Sequence, residues 1–250
     1  MSKLLFLLLL ATSTLTGQGL AGERNLDRAV ALQFGYGPFS SAGDLADRFG
    51  NGFTFGGGLM WVPAKSNIEF GFRFEYGFGR DVKEDVLAGL RTTEGFLIGN
   101  QREPADIMLR QRQIFLGPSF GYTRAIGQNR RAGLHFKSSI GYFHHRIKVQ
   151  RDVVQGVAAL NEEYLAGYDR LAGGPALHQF IGYQQYAANR RLNFFAGAEF
   201  LVAFTKQLRS FDIPTAAVPS AEGRTDITLG LKAGIIIPLY LGDGEDIFYR

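Results

Sequence analysis

Residues 67–79 read NIEFGFRFEYGFG, and the fold is decided there. On an extended strand Ile68, Phe70, Phe72, Phe74, Tyr76 and Phe78 share one face, while Glu69, Gly71, Arg73, Glu75 and Gly77 share the other. Such a strand places its large apolar side in lipid and its charged side in a closed interior. Its length approaches the roughly 9–11 residues that a tilted strand needs to cross a bilayer. A soluble sheet could alternate in the same way. It would then need helices to cover six apolar side chains in a row, and the chain shows no helical core elsewhere.

Outward from this stretch the same two-residue period recurs. Candidate strands fall at 28–37, 53–62, 67–79, 111–123, 133–149, 177–187, 192–205 and 226–240, the sixth being the least regular. The connections alternate long and short: 38–52, 80–110, 150–176 and 206–225 are long, and the turns between them, such as 63–67, are brief. Bacterial barrels with both chain ends in the periplasm have this rhythm of long external loops and short inner turns. The predicted architecture is an all-β, eight-stranded antiparallel transmembrane barrel with partly helical extracellular loops. Ten strands is the alternative, with an extra pair hidden in the second or third long loop.

The ends fit this picture. Residues 1–22, MSKLLFLLLLATSTLTGQGLAG, combine Lys3, a short apolar run and small residues, as a cleaved secretory signal does, and the run is too short for a spanning helix. The barrel is then expected over 23–240 and a short periplasmic tail over 241–250, with the protein located in the outer membrane. No cysteine is present, so neither a disulfide nor a lipidated N-terminal cysteine is available. The net charge is +4 at a pI near 9.3, yet the basic residues are scattered or paired with acids rather than interleaved with stacking aromatics. That distribution argues against a nucleic-acid partner.

On the assigned parity Glu69, Arg73, Glu75, Lys137, Glu199 and Lys232 all point inward, three acids against three bases. Buried charges require partners, so a neutral ion-pair core is expected, with a narrow channel or a small-ligand-binding barrel as the alternative. Catalytic chemistry has little to stand on. His145, His178, Ser139 and Glu199 are the pieces a membrane hydrolase could use, but no spacing selects them. The adjacent His144 and His145 face opposite ways on a strand and cannot easily share a metal ion. A non-enzymatic protein without cofactor is expected.

Helical spacing in the loops suggests binding instead. Residues 40–52 suit one or two helical turns; 81–90 place Val82, Val86, Leu87 and Leu90 at helical offsets; 161–173 do the same for Tyr164, Leu165, Tyr168 and Leu171, with Asp169 and Arg170 able to pair. Tyr164, Tyr168, Asp169 and Arg170 are the candidates for contact with a partner, since apolar stripes on external loops must be buried against something.

The segments GDLADRFGNGFTFGG (43–57), EEYLAGYDRLAGG (162–174), with its GYDRL motif, and DITLGLKAGIIIPLY (226–240) resemble a group of uncharacterised outer-membrane barrel proteins of Bacteroidota. The resemblance implies an outer-membrane location, contact with outer-membrane lipids and no settled activity. By analogy it also allows a place as a subunit of an envelope or secretion complex.

Overall fold

The computed structural model describes residues 25–151, 156–218 and 222–241. The expected signal segment and residues 242–250 of the expected tail lie outside them. Eight long strands dominate: β1 (Ala29–Gly43), β2 (Asn51–Val62), β3 (Ile68–Gly79), β4 (Met108–Ala125), β5 (Ala132–Gln150), β6 (Ala172–Gln185), β7 (Phe194–Gln207) and β8 (Arg224–Tyr240). Each pairs antiparallel with its sequence neighbours, and β8 returns to β1 with Ala29 opposite Tyr240, closing an up-and-down barrel. Closure removes the sheet edges that would otherwise invite pairing with other chains.

The alternation read in 67–79 holds around the wall. Phe72 is 62% exposed while its neighbour Arg73 is 4% exposed. Phe34, Phe55, Leu59, Phe70, Phe74, Leu116, Phe120, Ile140, Ile181, Leu231 and Ile235 are likewise exposed, and together they make an apolar belt on every strand pair. Among the described residues no helix is long and apolar enough to cross a membrane.

Three expectations need correction. The first loop is not long: β1 continues to Gly43 and β2 begins at Asn51, because Phe39–Gly43 keep pairing with β8. Gly43 ends the strand at φ +58°, and a Cβ there would sit 2.5 Å from the Thr225 carbonyl oxygen. The remaining connection holds a single helical turn, α1 (Leu45–Arg48). Residues 81–90 do not form a helix beyond a 3₁₀ turn at Ala88–Leu90. Among the described residues of the third loop, helical backbone is limited to a 3₁₀ turn at Ala158–Leu160 and α2 (Glu162–Leu165), the latter started by the Asn161 side chain, which accepts from the Tyr164 amide at 3.2 Å. Single turns of this kind are held by packing, since isolated short helices are marginal in water. The second loop does carry an extra strand pair, Leu97–Ile98 with Pro104–Ala105, but it is two residues long and separate from the barrel.

Candidate functional site

The interior is built from side chains that the strand parity sends inward, and the six expected ionic residues all arrive there, each at most 8% exposed. They separate into two groups, each neutral in itself.

Nearer the short turns, Glu69 is a hub. Its Oε1 lies 2.8 Å from Lys137 Nζ and accepts from Gln33 Nε2 at 3.0 Å; its Oε2 accepts from Gln184 Nε2 at 3.1 Å and from the Tyr186 hydroxyl at 2.9 Å. Lys137 also donates to Gln33 Oε1, and His135 Nε2 approaches Glu69 at 3.4 Å. One carboxylate thus joins β1, β3, β5 and β6. Four close approaches to one carboxyl group can offset much of its desolvation.

Mid-barrel, Arg73 lies 2.6 Å from Glu75 and 3.3 Å from Glu199. Lys232 pairs with Glu75 and reaches Glu199 at 2.9 Å; Thr54 donates to Glu199 at 3.1 Å. Two carboxylates therefore face two cations across β2, β3, β7 and β8. Glycines on the opposing strand make the room: a Cβ on Gly56 would sit 2.3 Å from Glu75 Oε2, and one on Gly121 would sit 2.7 Å from Glu69 Cγ. Lumen filling of this kind is what an eight-stranded barrel permits.

Other chemistry can be weighed against this geometry. Donor atoms of Glu75, His178 and Glu199 come within 4.8 Å of one another, a possible cation cage. Both carboxylates are already bound by Arg73 and Lys232, whose charges oppose a further cation. Of the four hydrolase pieces, Ser139 lies across the β5–β6 ladder from His178, and His178 reaches Glu199 at 3.4 Å. Ser139 instead shares a 2.7 Å hydrogen bond with Ser119, and all three residues are buried mid-barrel. His145 is elsewhere, 2.8 Å from Asp226 beneath the loops, where Thr205 also donates to that carboxylate.

Both ends of the barrel are covered. At the turn end Arg131 is 2% exposed, and its guanidinium donates to the carbonyls of Asp27 (2.8 Å), Leu26 (3.2 Å), Pro63 (2.6 Å), Ser66 (3.2 Å) and Asn25. It thereby holds the segment before β1 against the β2–β3 turn. At the loop end Leu45, Phe49, Val86, Leu87, Leu97, Ile107, Leu160 and Tyr168 continue the apolar packing of Phe115, Phe143 and Ile147 outward from the wall. Ion pairs stitch the loops together: Glu84 binds Arg48 at 3.1 Å and Arg170 at 2.8 Å, Arg170 binds Asp212 at 2.6 Å, and Asp169 binds Arg209. The hydrogen bond to Asp169 raises the Arg209 pKa above its ordinary value, whereas burial lowers that of Arg48 and raises that of Tyr168.

These contacts relocate the loop candidates. Asp169 and Arg170 do not pair with each other; each takes a partner from another loop, Arg170 with φ +49°. Tyr168 is 5% exposed inside the cap, while Tyr164 is half exposed on its surface. Gln33, His135, Gln184, Tyr186 and Asp226 complete the polar interior and were not singled out in the sequence. Inward parity marks Gln33 and His135; Tyr186 falls in the least regular candidate strand, 177–187, whose alternation defines no inward face, and lies just beyond the end of β6. Arg131 read as a turn residue.

No family model matches the chain, and no curated protein does. Among solved structures it is similar to neisserial surface protein A, at 11% identity over 83% of this chain and 96% of that one, with a TM-score of 0.45. It is similar to the attachment invasion locus protein Ail of Yersinia pestis, solved with the heparin analogue sucrose octasulfate, at 12% identity over 84% and 99%, with a TM-score of 0.37. It is also similar to outer membrane protein AlkL in DMPC bilayers, at 11% identity over 92% and 97%, with a TM-score of 0.38.

Proposed function

We propose that the protein is a non-conducting, non-enzymatic outer-membrane barrel that anchors a rigid loop cap at the cell surface, where the cap docks a protein partner of an envelope assembly. The uncovered aromatic and aliphatic belt supports insertion in a bilayer, because a soluble protein rarely exposes so large a continuous apolar surface. The observation that carries the rest is the filling of the lumen: neutral ion clusters occupy its middle, the Arg131 clamp covers one end and the loop core covers the other. A conducting barrel would need a continuous polar path between those ends.

Tyr164, Leu208, Phe211 and Val218 stand exposed on the third and fourth loops, and they offer the partner an apolar surface on a base that the Asp169–Arg209 and Arg170–Asp212 pairs hold in place. Purified protein in planar bilayers is expected to show no stable conductance. Crosslinking from position 164 in intact cells is expected to trap a discrete envelope protein. Stable single-channel steps would overturn the sealed-barrel reading, and crosslinks to lipid alone would overturn the partner.

A further inference from the structure

The outer face of β4 and β5 changes character abruptly near the loop end. Leu116 on β4 and Ile140 and Tyr142 on β5 belong to the apolar belt, and Ile114 is half-buried beside them. The next outward positions are Arg112 and Arg110 on β4 and, past the half-buried His144 that faces Ile114, Arg146 and Lys148 on β5; the register sets Arg112 directly opposite Arg146 and Arg110 directly opposite Lys148. Like charges facing each other across a ladder repel, and a sheet normally avoids the arrangement. Here two such pairs are stacked. Among the described residues no carboxylate lies within ion-pair distance of any of the four. Arg110 donates to Gln150 at 3.1 Å and to Met108 Sδ at 3.0 Å, and Arg112 donates to the Gln111 carbonyl at 2.7 Å, so these contacts leave their charge uncompensated. Asp81 lines the neighbouring hollow but accepts from the Asn51 amide at 3.1 Å.

We infer that this four-cation ladder is a binding site for the phosphate groups of an anionic, acyl-bearing glycolipid of the outer leaflet. The inference rests on the outer-membrane reading above. Position selects a lipid over an acidic protein: the cations lie on the side of the wall and not on top of the cap, and the apolar belt begins at the next outward residue of β4, Ile114, and, past His144, at Tyr142 of β5. Phe78 flanks them opposite Arg112, and Tyr142, opposite Leu116, lies two outward positions below Arg146. A ligand fitting both parts must carry anionic oxygens directly above hydrocarbon. Two guanidinium forks at cross-strand distance can clamp one phosphate in bidentate fashion, which turns the repulsion into a pre-formed site.

The test measures retention of diphosphorylated lipid A by the full chain in detergent micelles, read by native mass spectrometry, with dephosphorylated lipid A and inorganic phosphate as comparison probes. Wild type should retain the diphosphorylated form. The double variant Arg112→Gln/Arg146→Gln should retain it roughly tenfold less, and neither protein should favour the dephosphorylated form. Equal retention by wild type and variant, equal retention of both lipid A forms, or displacement by inorganic phosphate would each overturn the site.

A second readout has opposite signs in two settings. In phosphatidylcholine vesicles the variant should be at least as heat-stable as wild type, because repulsion has been removed; in vesicles containing lipid A it should be the less stable of the two. The same ranking in both vesicles would also overturn the site. Membrane insertion is scored separately, by protection of the strands from protease in vesicles, so failure of the outer-membrane reading is distinguishable from failure of the lipid site.

Discussion

The hydroxyl of Tyr186, just beyond the end of β6, donates at 2.9 Å to Glu69, the second residue of β3. Those strands are not neighbours in the wall, so the contact crosses the lumen and ties its two sides together. Tyr186 is 2% exposed and extends the Glu69 hub toward the turn end, where its carbonyl accepts from Asn25 at 2.6 Å.

Removing Glu69 should therefore be severe. Glu69→Ala leaves Lys137 buried without its carboxylate, and loss of about 3–5 kcal/mol is expected, measured by urea titration of the refolded barrel. The double replacement Glu69→Leu/Lys137→Met should regain most of that loss. A double variant no more stable than Glu69→Ala would show that the ion pair is not what holds the hub.

Arg131→Ala should act on one end of the barrel. Five carbonyl acceptors lose their donor, and the segment at residues 25–28 loses its attachment. A loss of roughly 2–4 kcal/mol is expected from the unsatisfied carbonyls. Trypsin should then cut at Arg28 far faster than in wild type, from the turn side only.

Gly56→Val probes lumen space. Its side chain would meet Glu75 Oε2 and the Phe74 carbonyl oxygen within 2.4 Å, so the mid-barrel cluster must shift. A loss of about 1–3 kcal/mol is expected. Gly89→Ala, where a Cβ meets nothing within 4 Å, serves as the control and should be close to neutral.

Arg170→Ala separates cap from wall. It removes the pairs to Glu84 and Asp212 that connect the second, third and fourth loops. Protease cleavage in those loops should rise several-fold, while the unfolding midpoint of the barrel hardly moves, because local opening draws on the least stable part of the structure. Equal destabilisation of loops and barrel would show that the cap and wall unfold as one unit.

The wall was legible because strand parity repeats in every strand but the sixth. Once 67–79 is read as alternating, Arg73 and Glu75 must point inward and Phe72 and Phe74 outward, whatever else the chain does. Pro38, Ser40 and Ser41 read as turn residues, yet Pro38 lies opposite Phe53 within the ladder, so the first loop is shorter than its sequence suggests. The loops were legible as apolar but not as helical: Val82, Val86, Leu87 and Leu90 do join the cap core, held by tertiary packing in mostly irregular backbone. Arg131 lies in a turn, where spacing says nothing about direction, and Tyr186 falls in the candidate strand 177–187, whose irregular alternation separates no inward from outward face.

The β1–β8 seam also bears on how the molecule assembles. Ala29 meets Tyr240 there, and the Arg131 guanidinium must find backbone at residues 25–27, so one edge of the first strand and the segment before it are satisfied by parts made much later. Contacts so distant along the chain form slowly, since loop closure must precede them. A chain that still lacks its eighth strand has two open sheet edges, on β1 and β7, and these stay available for pairing with other chains until β8 closes the ring.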